Sequence, residues 1–150
     1  MIHVLCFGNL WAGDDGLGIH LFQELCQRPL PPRVRLFEAG LLGLAALRCF
    51  EDCSKAIVVD ALLEANGTAG TIRRLRPEEL SQHAPLSSHA LGVAYLLRVL
   101  PLAMAGTPLP AIVILAVTIT QINPADNTLS PAVREAIPEL MAMIEGEVNA

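Results

Sequence analysis

The chain has 150 residues, of which 53% are hydrophobic and 17% charged, and its formal net charge is −5. This length suits one domain with a large core, and the composition excludes an intrinsically disordered chain. A single lysine and the lack of a basic cluster argue against nucleic acid and anionic membranes as partners.

The first half of the chain alternates strand and helix patterns. An apolar run predicts a strand at Ile2–Phe7, and the glycine-rich loop GNLWAGDDGLG follows at residues 8–18. Apolar residues at helical spacing predict a helix over residues 19–26, which the three prolines of RPLPPR end. The next patterns predict a strand at Arg33–Ala39 and a short helix at Leu41–Phe50.

The second half begins with Lys55–Leu63, a continuous β-branched run that is typical of a strand buried on both faces. A turn is predicted at Asn66–Gly70, and the alternating pattern of Thr71–Arg76 favours an edge strand. Ser88–Leu100 is predicted as a helix with a serine N-cap, and Ala111–Val117 as another buried strand.

The last helix is predicted to begin at Ser130 as N-cap and Pro131 as first helical residue. Its apolar stripe comprises Val133, Ile137, Leu140, Met141, Ile144 and Val148. Alternating strands and helices predict an α/β fold, a three-layer αβα sandwich around a mostly parallel twisted sheet of about five strands. No repeat or linker is visible, so we expect a single domain over residues 1–150.

A membrane span is not expected, because three prolines interrupt the longest apolar tract, residues 99–117. No targeting segment is visible either, so the sequence predicts a cytoplasmic protein. Cys6 and Cys26 are expected to pack as small hydrophobic residues, and the pair Cys49 and Cys53 is a weak metal or redox candidate.

Acidic residues follow the predicted strands, where a doubly wound sheet binds its ligands. Asp14 and Asp15 come after the first strand, Glu38 ends the second, and Asp60 ends the buried run IVVD. His89 begins a later helix and could reach the same rim. Each residue alone has a structural explanation, such as helix capping, but oxygen and nitrogen ligands on one rim favour a divalent metal site with an open position.

Two other functions fit the sequence less well. The loop at residues 8–18 lacks nucleotide-loop spacing, and its two carboxylates would repel a phosphate. A phosphoacceptor receiver domain would need a lysine after the last strand, whereas Lys55 lies at the opposite end of the third. Trp11, in the same loop, is expected to pack beneath it.

Together, the motifs resemble the maturation endopeptidases of nickel–iron hydrogenases. GNLWAGDDGLG is similar to the family's G-N-x-x-x-x-D-[DE]-x-x-G signature, and VVDAL to its second metal-binding strand. SSHALGV is similar to its histidine motif, GTAGTIRRLRPEEL to the strand and turn after the second motif, and LSPAVREAIPELM to its closing helix. The segment EAGLLG departs from the family's Asp-Gly-Gly-Thr turn, but Glu38 keeps the carboxylate.

The resemblance implies that Asp15, Asp60 and His89 are both the metal ligands and the catalytic residues. It implies an endopeptidase that removes the C-terminal extension from the nickel-loaded precursor of a hydrogenase large subunit. Nickel would then come with the precursor, although zinc or cadmium could occupy the site in vitro.

Two mechanisms stay open at this point. Nickel could activate the scissile carbonyl or a bound water, or it could be only a recognition signal while Asp14 or Glu38 acts as the base. A different class of function, a non-catalytic metal-binding or assembly module on the same fold, is the alternative.

Overall fold

The computed structural model describes the backbone of residues 1–83 and 88–150, and the side chains of residues 1–80 and 92–150. Five strands form one sheet in the order β2-β1-β3-β5-β4, and every neighbouring pair is parallel except β4 with β5. This confirms the predicted mostly parallel α/β sheet. The strands are β1 (Ile2–Phe7), β2 (Val34–Gly40), β3 (Lys55–Leu63), β4 (Ile72–Leu75) and β5 (Ala111–Ile119).

Helices cover both faces of the sheet, which makes three layers. One core lies between the sheet and the pair α1 and α4, and the other lies under α2, α3 and a 3-10 helix. The α-helices are α1 (Leu17–Cys26), α2 (Pro77–His83), α3 (Ser88–Ala103) and α4 (Pro131–Asn149), and the 3-10 helix is Gly43–Phe50. None of the helices in the described part of the chain is long and apolar enough to span a membrane.

The hydrophobic pattern explains which strands are central. The middle of β3 is buried without interruption from Ala56 to Leu62, because helices cover both of its faces. The short strand β4 lies at the edge, as its alternating sequence predicts, and it exposes Arg74. All six residues of the predicted α4 stripe are buried, which confirms the helical periodicity.

Three local features differ from the predictions. The short helix predicted at residues 41–50 is present, but it is a 3-10 helix that begins at Gly43, whose φ is +56°. The helix α2 follows β4 directly, where no helix was predicted. Cys26 is exposed because it is the last residue of α1, while Cys6 and Cys49 are buried; all four cysteines are free thiols.

The strand order creates a switch point between β1 and β3. The chain leaves β1 toward β2 on one side, and returns past β1 to form β3 on the other. At such a point the connections on the two sides diverge and leave a crevice outside the carboxyl ends of the strands. Asp60 of β3 lines this crevice, and the loop that carries Asp14 and Asp15 follows β1 at the same end of the sheet.

Candidate active site

The loop after β1, residues 8–18, is hereafter called the acidic loop. It passes through a 3-10 turn at Gly13–Gly16 before α1 begins. Gly8 has a φ of +137°, and a Cβ at this residue would lie 2.2 Å from the backbone oxygen of Asp15. Only glycine permits this backbone approach, so Gly8 lets the loop fold back tightly over the end of β1.

Asp15 is buried within the acidic loop, with only 2% of its surface exposed. The backbone N–H of Asn9 donates to both the carboxylate and the backbone oxygen of Asp15, each at 3.2 Å. These contacts hold the carboxylate over the carboxyl end of β1.

Asp14 is also buried, but its contacts are with a distant part of the chain. One of its carboxylate oxygens accepts the backbone N–H of Ser130 at 2.6 Å, and the other accepts the Ser130 hydroxyl at 2.8 Å. Ser130 occupies the N-cap position of α4 as predicted, but its side chain makes no capping hydrogen bond to that helix. Its hydroxyl binds Asp14 instead.

Asp60 lies inside β3, which continues to Leu63 as predicted, so the residue that ends the run IVVD is not the last residue of the strand. The pairing of β1 with β3 stops at Cys6 and Val59, one residue before Asp60. Asp60 is therefore the first residue of β3 beyond its pairing with β1, level with Phe7 and at the switch point. Its carboxylate accepts the N–H of Ala61 at 2.9 Å.

The electrostatics of Asp60 are unusual for an aspartate. Burial raises the pKa of its carboxyl well above the ordinary value, and the neighbouring charge of Asp15 raises this pKa further. The hydrogen bond from Ala61 opposes both effects but does not cancel them. A buried carboxyl whose charge is disfavoured by a second carboxylate is an arrangement that a cation would relieve.

An open cavity of about 200 Å³ gives access to Asp60. Its walls are largely backbone and apolar side chains, including Phe7, Leu41 and Val93, together with glycines of the surrounding loops. Gly92 of α3 also lines the cavity. His89 lies one helical turn before Gly92 in α3, although its side chain lies outside the described residues.

Glu38 does not join this cavity. Side chains alternate along β2, and Ala39 belongs to the core under α3, so Glu38 lies on the opposite face with α1. Asp60 alternates with Val59, which belongs to the core of α1 and α4, so Asp60 lies on the α3 face. The structure therefore brings Asp15 and Asp60 together and separates Glu38 from them.

Trp11 was predicted to pack beneath the acidic loop, and this was wrong. Its side chain is 60% exposed, and its backbone N–H donates to the side-chain oxygen of Asn9 at 3.0 Å. The indole therefore contributes little to the core.

The donor set fits a divalent cation as far as the described residues extend. Asp15 and Asp60 supply carboxylate oxygens, and an imidazole from His89 would complete the predicted set of three ligands. The side chains described, which do not include His89, contain no group of three His, Cys, Asp or Glu placed to hold a metal ion. The assignment of all three ligands stays a prediction.

The contact between Asp14 and Ser130 was not predicted from the sequence. Asp14 and Ser130 are separated by 116 positions, and nothing in either segment identifies its partner. The only local signal was the paired carboxylates of the acidic loop, of which one bonds to Ser130 at the start of α4 and the other lies near enough to Asp60 to raise its pKa.

Known proteins resemble this chain in sequence and in structure. A model of the hydrogenase maturation protease family matches residues 19–147. Hydrogenase 2 maturation protease of Escherichia coli is 31% identical over 102 residues, which cover 66% of this chain and 62% of that protein. The hydrogenase expression/formation protein HupD of Rhodobacter capsulatus is 32% identical over 78 residues, 51% of this chain and 37% of that protein. The chain thus spans less than two thirds of these curated relatives.

The structure of the hydrogenase maturating endopeptidase HybD from E. coli superimposes with a TM-score of 0.85 at 26% identity. The match covers 99% of this chain and 91% of that one. The family model alone matches far more than half of the chain, and it includes Asp60 and His89. The chain belongs to the hydrogenase maturation protease family.

Proposed function

We propose that this protein is an endopeptidase that removes the C-terminal extension from the nickel-loaded precursor of a nickel–iron hydrogenase large subunit. The observation that carries the proposal is the buried pair Asp15 and Asp60 at the switch point, beside a cavity open to solvent. Family membership supplies the reaction class, and the carboxylate pair supplies a place where a metal-bearing substrate can dock.

In this proposal, Asp15, Asp60 and His89 bind the nickel that the precursor brings. Nickel so bound supplies Lewis acidity toward the scissile carbonyl or toward a water. The two carboxylates are preorganised for this task, because Asn9 holds Asp15 and the N–H of Ala61 holds Asp60. The glycine-lined cavity gives the precursor backbone close access to Asp60.

Two observations support metal-dependent catalysis over the second mechanism, in which Asp14 or Glu38 acts as the base. Both carboxylate oxygens of Asp14 already accept hydrogen bonds from Ser130. Glu38 lies on the other face of the sheet from Asp60. Neither carboxylate lines the cavity that gives access to Asp60, where a base would have to meet the water.

The test is the intact mass of a large-subunit precursor after incubation with the protein, with and without nickel loaded. We expect loss of the extension only from the nickel-loaded precursor. Cleavage of both forms would contradict the metal-dependent mechanism. Failure to cleave several nickel-loaded precursors, with binding retained, would identify a non-catalytic assembly module instead.

A further inference from the structure

The segment between β5 and α4, residues 120–130, forms a wall against the acidic loop. The backbone N–H of Gly13 donates to the backbone oxygen of Asp126 at 2.7 Å, and Ala12 forms a parallel β-bridge with the same residue. A Cβ at Gly13 would lie 3.1 Å from the side chain of Asn123. The two segments are therefore in close contact along several residues.

The strongest contact between the two segments joins Asp14 to Ser130. It consists of two short hydrogen bonds to a buried carboxylate, at 2.6 and 2.8 Å. Hydrogen bonds to a charged acceptor are about twice as strong as neutral ones. The backbone donor also belongs to the N-terminus of α4, where the helix dipole favours a negative charge. Asp14 thus acts as a cap that is supplied by a distant loop.

We propose that Asp14 and Ser130 are positioning residues that hold Asp15 toward Asp60. Asp14 and Asp15 are neighbours in one 3-10 turn, so fixing the side chain of Asp14 on α4 also fixes the backbone that directs Asp15. Asn9 anchors Asp15 from the other side. The carboxylate of Asp15 is consequently held between two anchors, one at Asn9 near the start of the acidic loop and one at Ser130 where α4 begins.

This inference rests on the proposed function only for its metal-binding readout, because the hydrogen bonds that carry it are present in the metal-free protein. A simple capping role does not require the arrangement. Ser130 has the residue type to cap α4 with its own hydroxyl, yet the hydroxyl donates to Asp14. What the arrangement adds is a rigid link between α4 and the acidic loop.

The test compares Ser130→Ala, Ser130→Thr and the matched control Ser54→Ala. Ser54 makes one hydroxyl hydrogen bond, to the backbone oxygen of Met1 at 3.0 Å, at the opposite end of the sheet. The first readout is hydrogen–deuterium exchange of the acidic loop in the metal-free protein. We expect exchange at residues 8–18 to rise about tenfold or more in Ser130→Ala, and to stay at the wild-type rate in the other two variants.

The second readout is a titration with Co²⁺, whose visible absorption reports its coordination. The signal of the site is defined as the part that Asp60→Asn removes. Loss of a partner bonded directly to a metal ligand weakens metal binding by about 10–100-fold. Ser130 acts on Asp15 through Asp14, so Ser130→Ala should bind Co²⁺ more weakly by about tenfold, the low end of that range. Ser130→Thr should restore the wild-type affinity, because threonine supplies the same hydroxyl.

Unchanged exchange of the acidic loop in Ser130→Ala would overturn the proposal, and so would exchange that rises equally in Ser54→Ala. If the wild type gives no Co²⁺ signal that depends on Asp60, the metal part of the proposed function fails while the exchange result still decides the positioning role. Faster exchange with unchanged Co²⁺ affinity would show that the link stabilises the loop without positioning Asp15, and would also overturn the proposal.

Discussion

Asp60→Asn should make the metal-free protein more stable at neutral pH while it removes a proposed metal ligand. Burial and the nearby Asp15 raise the pKa of Asp60, so its ionised form is disfavoured in the folded state. Asparagine keeps a side-chain oxygen that can accept the Ala61 N–H, now at 2.9 Å, and it replaces the other, ionisable oxygen by a neutral amide group of similar size. A functional residue of this kind is held at a cost to stability.

The sign of the pH dependence follows from the raised pKa. The folded state binds the proton of Asp60 more tightly than the unfolded state, so the free energy of unfolding falls as the pH rises from about 4 toward the folded-state pKa. The slope from this one group is at most about 1.4 kcal/mol per pH unit. The advantage of Asp60→Asn over the wild type should therefore grow with pH and then level off.

The assay is thermal unfolding with a chelator present, at a series of pH values. We expect a gain of about 1–2 kcal/mol at pH 8, which corresponds to a rise of about 2–8 °C in Tm for a chain of this size. Asp126→Asn is the matched control, since hydrogen bonds from Thr128 lower the pKa of this partly exposed residue. Neutralising Asp126 should not stabilise the protein.

The reasoning would be refuted if Asp60→Asn melted at or below the wild-type temperature at pH 8 while the control behaved as expected. The double variant with Asp15→Asn adds a second check. If the two charges repel, the gain from Asp60→Asn should shrink once Asp15 is neutral, by about 0.5 kcal/mol or more.

Three further predictions concern the scaffold. Gly18→Ala places a Cβ 2.0 Å from a backbone oxygen of β1, so it should lower the free energy of unfolding by about 1–3 kcal/mol. Gly146→Ala meets nothing within 4 Å and should raise the free energy of unfolding by about 0.5–1 kcal/mol. Denaturant titration measures both effects. Lys55 donates to the carboxylate of Glu147 at 2.7 Å, and hydrogen bonds from Arg74 and Lys55 lower the pKa of Glu147. The contribution of Glu147 to the free energy of unfolding should therefore be present above about pH 4.5 and be lost as the pH falls through the lowered pKa. Lys55→Met should reduce this acid-dependent loss in urea titrations at pH 3 to 6, and an unchanged profile would contradict the assignment. Trp11→Ala should change the unfolding free energy by less than about 0.5 kcal/mol, because the side chain is largely exposed; a larger loss by denaturant titration would show that the indole packs in solution.

Long, strongly patterned elements could be predicted from the sequence. The bounds of β3 agree with the prediction because its apolar run is buried on both faces, and α4 agrees because its stripe has the helical period. The 3-10 helix at Gly43–Phe50 and the short helix α2 were missed or mistyped. Both are short elements that depend on packing under α3, and local propensity is weak at such lengths.

The part of the candidate site that lies at the ends of strands could be predicted from the sequence. Asp15 and Asp60 meet at the switch point because parallel strands bring their carboxyl ends to one edge. Glu38 follows the same rule along the chain, but side-chain alternation places it on the other face. The partner of Asp14 depended on a contact between distant segments, which no local pattern encodes.

The central claim is that Asp15 and Asp60 form the metal-facing part of an endopeptidase site. The most direct measurement is the single-turnover rate at which a nickel-loaded large-subunit precursor loses its extension, for the wild type, Asp60→Asn and Glu38→Gln. We predict that Asp60→Asn lowers the rate by at least about 100-fold, while Glu38→Gln stays within about threefold of the wild type. Wild-type cleavage by Asp60→Asn, or a loss of the same size in Glu38→Gln, would contradict the account.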